Sequence, residues 1–252
     1  MSMRSELKVF TLYLILIAAA EAVTCFIDPG YGLLTHSAIL LSLLTLSALW
    51  HESNPASNLY LSLSLAPLIR ILSLSLPLTY FPRYAWYSVA SIPVFAATLV
   101  AMRVQGIRLT DAGVAFKKPL AQAGIALTGI PFGAIEYLIL RPEPLASGLT
   151  FRELILLAVA LVFSTGFVEE LVFRGVLQKT AVEALGEKAG ILGITAVFAA
   201  LHIGWLNPLD VLFVFSIGLF FAFMTLKTGS IVGVSLSHGI TNVVLFLLMP
   251  AM

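Results

Sequence analysis

Charged side chains are scarce in this chain, and their scarcity excludes a water-soluble globular protein. Only 11% of the 252 residues are Asp, Glu, Lys or Arg, whereas a soluble domain usually carries about 25%. Hydrophobic residues make up 60%, and the mean hydropathy is +1.02. So few charges cannot cover a surface that faces water, and we therefore expect lipid to cover it.

Cysteine and an excess of positive charge are also lacking. The single cysteine, Cys25, excludes an internal disulfide and a multi-cysteine metal site. The net charge of +1 provides no electrostatic basis for binding nucleic acid, so no nucleic-acid partner is expected. The sequence also has no soluble domain, internal repeat or low-complexity tract.

Long apolar runs fill most of the chain, and each is near the ~20 residues that a helix needs to cross a bilayer. The breaks between them contain turn-forming residues, as at Asp28-Pro29-Gly30, Asn207-Pro208 and Thr228-Gly229-Ser230. We predict an all-α, polytopic transmembrane helix bundle of eight or nine helices. The candidate spans are 8–26, 33–51, 58–80, 84–102, 119–141, 151–178, 189–206, 208–227 and 230–249.

Basic residues indicate how the chain is oriented and divided. Arg4 and Lys8 precede the first run without a clear cleavage site, so this run is expected to be an anchor and not a signal peptide. With the N-terminus in the cytoplasm, nine Lys and Arg fall on that side and three on the other, which favours this orientation. A polar connector over 103–119 separates residues 1–118, the N-terminal helices with the connector, from residues 119–252.

Three polar clusters lie inside the apolar runs of the second part, and the first is Glu169-Glu170 with Arg174. A charged side chain persists in a bilayer mainly where it is paired or lines a wet cavity. On a helix, Glu170 and Arg174 are four residues apart and favourably placed to pair, whereas Glu169 points about 100° away. We therefore expect Glu170 to be structural and Glu169 to face a cavity. The plainer alternative is a helix end with a solvated ion pair.

His202 forms the second cluster, and a lone histidine in an apolar helix is more often a core residue than a catalyst. The depth of His202 in the membrane, relative to that of Glu169, favours a catalytic role. If the sixth helix continues to about Glu187 and the chain turns back, Glu169 is 18 residues from the turn and His202 is 15. At ~1.5 Å per residue, the two differ in depth by only about 4.5 Å. We predict that an antiparallel hairpin brings them level.

The third cluster, His238 and Asn242, occupies one helix face because the two residues are four positions apart. Both side chains can donate hydrogen bonds, which suits stabilisation of an oxyanion. The alternative is plain helix–helix hydrogen bonding. The other polar residues inside the apolar runs stand singly and are expected to be structural: Glu21, His36, Arg70 and Glu136. Of these, Arg70 is expected to bind a lipid headgroup or to snorkel.

These clusters resemble the motifs of a known family of membrane proteins. Glu-Glu-x-x-x-Arg at 169–174, Phe-x-x-x-His at 198–202 and His-x-x-x-Asn at 238–242 are similar, in the same order, to those of the CPBP (CAAX protease/bacteriocin-processing, Abi) intramembrane proteases. That family includes the type II CAAX prenyl endopeptidases. The resemblance covers about residues 119–249, and it makes 119–252 a CPBP/Abi-like protease core.

The resemblance implies an intramembrane endopeptidase with a conical cavity. Glu169 and His202 would activate a water, His238 and Asn242 would hold the oxyanion, and Glu170 and Arg174 would support the first motif. The expected partners are the lipid bilayer and a membrane-anchored peptide or lipidated protein, with CAAX-type C-terminal processing as one form of the reaction. The expected location is the plasma membrane of a prokaryote.

Zinc is the one cofactor that the residues could accommodate. Glu169, His202 and His238 offer a set of one carboxylate and two imidazoles. Yet the chain has no His-Glu-x-x-His helix, and a Glu–His pair can activate water without a metal. We favour a glutamate-dependent, metal-free mechanism and keep zinc as the alternative.

Two other classes of membrane protein are alternatives. A secondary transporter would usually show repeated halves with helices broken at matching positions, and this chain shows no such symmetry. A catalytically idle immunity or scaffold protein would have lost one of the motif residues, and here all are present.

Overall fold

The computed structural model of the protein describes residues 3–50, 55–145 and 148–251, and within them the chain forms helices and no strand. Nine helices in these ranges are long and apolar enough to cross a membrane, which confirms the polytopic all-α bundle. They are α1 (Met3–Phe26), α2 (Pro29–Leu49), α3 (Pro55–Ser75), α4 (Trp86–Val104), α5 (Pro119–Leu140), α6 (Phe151–Leu185), α7 (Glu187–Trp205), α8 (Pro208–Thr228) and α9 (Val232–Ala251).

The turns that separate these helices form where the sequence predicts them. The Asp28 side chain accepts backbone hydrogen bonds at the start of α2, and Asn207 does the same for α8; a proline follows each at the first helical position. Gly229 ends α8 with a φ of 66°, in the left-handed region that glycine adopts most readily. Gly186 makes the tight turn between α6 and α7 with a φ of 81°, so these two helices form the predicted hairpin.

The predicted polar connector is an ordered part of the fold. Its Arg108 guanidinium donates hydrogen bonds to Asp111, and this partner lowers the pKa of the Asp111 carboxyl to about 2. Farther along, the Gly113 carbonyl accepts a hydrogen bond of 2.9 Å from the Ile231 N–H, just before α9. The connector therefore packs against the second part of the chain. The division at residues 118 and 119 stays a prediction.

Helix α6 departs from the regular α-helix that the sequence pattern predicts. Two π-helical segments, Leu161–Phe167 and Leu171–Leu177, flank the three α-helical residues Val168–Glu170. Each π-helical turn contains about one residue more than an α-turn, and such turns occur frequently at functional sites. The first motif therefore begins between two widened turns of one helix.

Close contact between α6 and α9 depends on glycine. A Cβ atom added at Gly166 of α6 would lie 2.5 Å from the Ser235 carbonyl oxygen and 2.8 Å from the Gly239 nitrogen, both in the backbone of α9. Small residues allow membrane helices to approach in this way. The approach of these two backbones brings the first and third polar clusters together.

We expect Gly166→Ala to destabilise the protein by about 1–3 kcal/mol, because backbone atoms that face the new methyl group must move. Gly124→Ala is the matched control. Nothing lies within 4 Å of a Cβ atom at Gly124, and alanine is the better helix former by about 0.5–1 kcal/mol. Thermal unfolding of both variants in detergent measures the difference. Equal melting temperatures would contradict the importance of this contact.

A buried ion pair connects the N-terminal helices to the motif helices and corrects the expectation for Arg70. Arg70 Nε donates to Glu21 Oε1 at 2.8 Å, and Arg70 Nη2 forms an ion pair with Glu21 Oε2 at 2.7 Å. Arg70 Nη2 also donates to the Leu201 carbonyl at 2.7 Å. His36 lies beside the same carboxylate, 3.4 Å away. The prediction of a lipid-facing Arg70 was wrong because its partner lies 49 residues away on another helix, where sequence spacing does not reveal it.

Candidate active site

The predicted site residues line one cavity of about 160 Å³ between α6, the end of α7, and α9. Glu169 comes from the centre of α6, His202 from the turn after the regular part of α7, and His238 and Asn242 from α9. Aromatic and apolar side chains form much of the remaining wall: Tyr87, Phe198, Trp205, Val214, Ile217, Phe221, Leu245 and Phe246. The fold thus brings together three clusters that are far apart in the sequence.

The two adjacent glutamates occupy different environments. The Glu169 side chain is 33% exposed, whereas that of Glu170 is fully buried. The Glu170 Oε1 atom accepts hydrogen bonds of 2.9 Å from both Arg174 Nη1 and His238 Nδ1. The Glu169 side chain makes no hydrogen bond within the described residues, and its nearest cationic neighbour is His238 Nε2 at 4.0 Å. The expected Glu170–Arg174 pair is present, and Glu169 lines the cavity.

Arg174 is held on several sides. Besides Glu170, its guanidinium donates to the Gly218 carbonyl at 3.3 Å and lies 4.4 Å from the centre of the Phe198 ring. A cation above an aromatic face is attracted by the ring's negative potential. The phenylalanine of the second motif therefore packs on the arginine of the first, which connects α7 to α6.

His202 lies just beyond the regular helix that the sequence predicts for it. The α-helical part of α7 ends at Ala200, and His202 sits in the following turn. Its Nδ1 atom is 2.9 Å from the Phe198 carbonyl oxygen. A carbonyl oxygen only accepts, so Nδ1 carries the hydrogen. In the neutral imidazole, Nε2 then has a free lone pair, as a proton acceptor requires.

His238 and Asn242 have polar partners on α6. Because the Glu170 carboxylate accepts from His238 Nδ1, His238 Nε2 donates only when the ring carries its second proton. The Asn242 amide donates to Thr165 Oγ1 at 2.8 Å, and Thr165 in turn donates to the Leu161 carbonyl at 2.5 Å. The second hydrogen of the Asn242 amide is left for another acceptor.

Sequence reasoning missed Thr165, Tyr87 and Glu136 as cavity residues. A single threonine or tyrosine in an apolar run is too common to indicate a site. Glu136 did stand out as an intramembrane acid, but no residue near it in the sequence formed a reacting set. Only the packing of α4, α5 and α6 around one space brings the three to the cavity.

A second cavity, of about 500 Å³, adjoins the first. The two share Tyr87, Thr165 and Glu169 in their walls. The rest of its wall comes from α3, α4, α6 and the segments that join them, and most of its side chains are apolar: Ile69, Ser73, Leu78, Trp86, Ala90, Ser91, Val94, Leu145, Ser164 and Val168. An apolar space therefore leads directly to Glu169.

The proposed zinc ligands do not gather as a metal site. Within the described ranges, no group of three or more His, Cys, Asp or Glu side chains is arranged to hold a metal ion. The Nδ1 atoms of His202 and His238 face Phe198 and Glu170, so a metal could bind each ring only through its Nε2 atom.

Comparison with known families finds a match to one part of the chain. Residues 151–244 match the family model described as type II CAAX prenyl endopeptidase Rce1-like. No curated protein and no solved structure matches the chain. The matched region includes α6, α7, α8 and the part of α9 that carries the third motif, so it contains every residue of the three polar clusters. This part of the chain is therefore similar to the type II CAAX prenyl endopeptidases, and it is the part that carries the three motifs.

Proposed function

We propose that this protein is an endopeptidase that hydrolyses peptide bonds of membrane-anchored substrates with a water activated by Glu169 and His202. The observation that carries the proposal is one intramembrane cavity lined by an acid, two imidazoles and an amide. Such polar groups are expensive in a bilayer and persist where they have a function.

Water activation is assigned to Glu169 and His202. Glu169 is the partly exposed acid of the pair at 169–170, and its side chain makes no hydrogen bond within the described part of the chain. The Phe198 carbonyl fixes the hydrogen of His202 on Nδ1 and leaves Nε2 as an acceptor. A water between two such acceptors can give up a proton as it attacks a carbonyl carbon, which is general-base catalysis.

Stabilisation of the oxyanion is assigned to His238 and Asn242. Glu170 accepts from His238 Nδ1, and His238 Nε2 can donate to the oxyanion when the ring carries both protons. Thr165 orients the Asn242 amide and leaves one of its hydrogens free. Donors that are already oriented stabilise a developing negative charge without reorganisation, which is often the largest contribution to catalysis.

The substrate is proposed to carry an apolar chain. The second cavity is lined mainly by apolar side chains and meets the first at Glu169, so a lipid attached near the scissile bond could lie there. This favours a lipidated peptide, with C-terminal CAAX-type processing as the reaction and the plasma membrane of a prokaryote as its location.

The test is hydrolysis by the purified protein in liposomes. We expect cleavage of a membrane-tethered peptide with a prenylated cysteine, loss of cleavage with Glu169→Gln, and no effect of a zinc chelator. Failure of the folded wild-type protein to cleave any such peptide would contradict the proposal and favour a catalytically idle membrane protein. Inhibition by the chelator, reversed by zinc, would contradict the metal-free mechanism only.

A bulky residue in the second cavity should weaken binding of the lipid. Ala90 lines this cavity, and the side chain of Ala90→Trp would occupy space that the substrate's lipid needs. Each methylene group kept out of an apolar site costs about 0.8 kcal/mol, so we expect KM for the lipidated peptide to rise by at least ~10-fold. Ala96→Trp on the exposed face of α4 is the control. An equal KM in both variants would contradict this assignment of the cavity.

A further inference from the structure

Glu136 is an acid in the cavity wall that the proposed mechanism does not use. It lies on α5, is 7% exposed, and borders the same space as Glu169, His238 and Asn242. No hydrogen bond or ion pair joins its carboxyl to another residue in the described ranges. A carboxyl group this deep in a membrane protein requires a partner or a function, and the space in front of it is the reaction cavity.

The position of Glu136 is set by contacts on either side of it along α5. One turn earlier, Gly133 lies against the Thr241 carbonyl of α9, where a Cβ atom would come within 2.5 Å. About one turn later, the Ile139 carbonyl accepts a hydrogen bond of 3.1 Å from the Asn207 amide, which begins α8. Glu136 is thus held between α8 and the helix that carries His238 and Asn242.

Asp210 lies in the first turn of α8, which packs against the helix that carries Glu136. It is completely buried, and neither of its carboxyl oxygens has a hydrogen-bond partner within the described residues. The groups in Coulombic range of Glu136 are Asp210 and His238, and Glu169 borders the same cavity. Burial disfavours the charged form of a carboxyl, which suits a group that must hold a proton until the leaving group needs it.

We propose that Glu136 is a further catalytic acid, which protonates the nitrogen of the scissile bond so that the amine can leave. This inference rests on the proposed peptidase function and extends it. Two carboxyls with different environments around one cavity are a recurrent arrangement for a base and an acid. Glu169 would be the base, and Glu136, backed by Asp210, would be the acid.

The proton transfers balance over one cycle. Water gives a proton to Glu169, and its oxygen bonds to the carbonyl carbon, whose electron pair moves to the oxygen held by His238 and Asn242. The tetrahedral intermediate then collapses: the C–N bond breaks and the nitrogen takes the proton of Glu136. The products are a carboxylic acid and an amine, and the proton held by Glu169 returns to Glu136 to restore both groups.

The leaving group provides a specific test. An amide nitrogen needs a proton to leave, whereas a thiolate leaves without one because a thiol is far more acidic than an amine. Two membrane-tethered peptides of the same sequence, one with the scissile amide and one with a thioester there, are compared. We expect Glu136→Gln to lower kcat by about 10²–10⁴-fold on the amide and by less than about 10-fold on the thioester.

Three further variants complete the test. Glu169→Gln should lose activity on both substrates, because each needs an activated water. Asp210→Asn should show a weaker form of the Glu136→Gln pattern, since Asp210 acts through Glu136. Glu183→Gln, in an exposed pair with Lys179, should match the wild type.

If Glu136→Gln does not fold, Glu136→Asp replaces it. This variant keeps the acid on a shorter side chain, and a larger loss of kcat on the amide than on the thioester is again expected.

The outcomes separate the role of Glu136 from the proposed function. A loss of equal size on both substrates, or no loss on either, would overturn the role of Glu136 and leave the proposed function intact. If the wild-type protein cleaves neither substrate, the proposed function fails and the role of Glu136 fails with it.

Discussion

Glu169→Gln is expected to abolish peptide hydrolysis while the protein stays folded. Gln is isosteric with Glu but cannot take a proton from water, and loss of a general base typically lowers kcat by ~10²–10⁴-fold. Little stability should be lost, because the Glu169 side chain is one-third exposed and its nearest cationic neighbour is His238, 4.0 Å away. Removal of an acid with so few partners could even raise the melting temperature, because active-site residues often support activity at the expense of stability.

The measurement for Glu169 pairs a cleavage assay with a melting curve. Glu169→Ala should behave like Glu169→Gln, because both remove the proton acceptor. Glu183→Gln, at an exposed Lys179–Glu183 pair, controls for the loss of a carboxylate elsewhere on α6. Near-normal cleavage by either Glu169 variant would show that another group activates the water.

Glu170→Ala and Arg174→Ala are expected to reduce both activity and stability. Removing one partner of a buried ion pair typically costs ~3–5 kcal/mol, because the remaining charge is left uncompensated. Glu170→Ala leaves two groups without their acceptor, Arg174 Nη1 and His238 Nδ1. Arg174→Ala also loses the hydrogen bond to Gly218 and the contact with the Phe198 ring.

A comparison of these variants with Glu169→Ala separates structural from catalytic roles. Melting temperature and cleavage should fall together in Glu170→Ala and Arg174→Ala, whereas only cleavage should fall in Glu169→Ala. Equal melting temperatures in all three variants would show that the two glutamates cannot be divided in this way. Glu170→Gln adds a finer test, because it keeps an acceptor for His238 Nδ1 but removes the negative charge beside the ring.

Local patterns in the sequence were sufficient to predict the helices and one ion pair. Apolar runs of membrane length predicted all nine helices of the described ranges that could span a membrane. Capping residues such as Asn207 and Gly229 marked their limits. The four-residue spacing of Glu170 and Arg174 predicted their pairing, which is present at 2.9 Å. These features depend on residues that are close in the chain, so periodicity and hydropathy report them directly.

The identity of the polar cluster was also accessible from the sequence, but its internal geometry was not. Glu169, His202, His238 and Asn242 were singled out because polar residues are rare in apolar runs, and all four line one cavity. Their roles stay predictions. The hydrogen bond from His238 to Glu170 spans 68 residues and that from Asn242 to Thr165 spans 77, and no local pattern encodes such contacts.

The sequence by itself determined the membrane class, the helices and the residue types of the site. Tertiary structure alone decided that α6 widens into π-helical turns around Glu169, that Arg70 pairs with Glu21, and that Glu136 faces the cavity. The reason is physical: local spacing limits which side chains share a helix face. The packing of helices decides which faces meet, through contacts such as that of Gly166 in α6 with the backbone of α9.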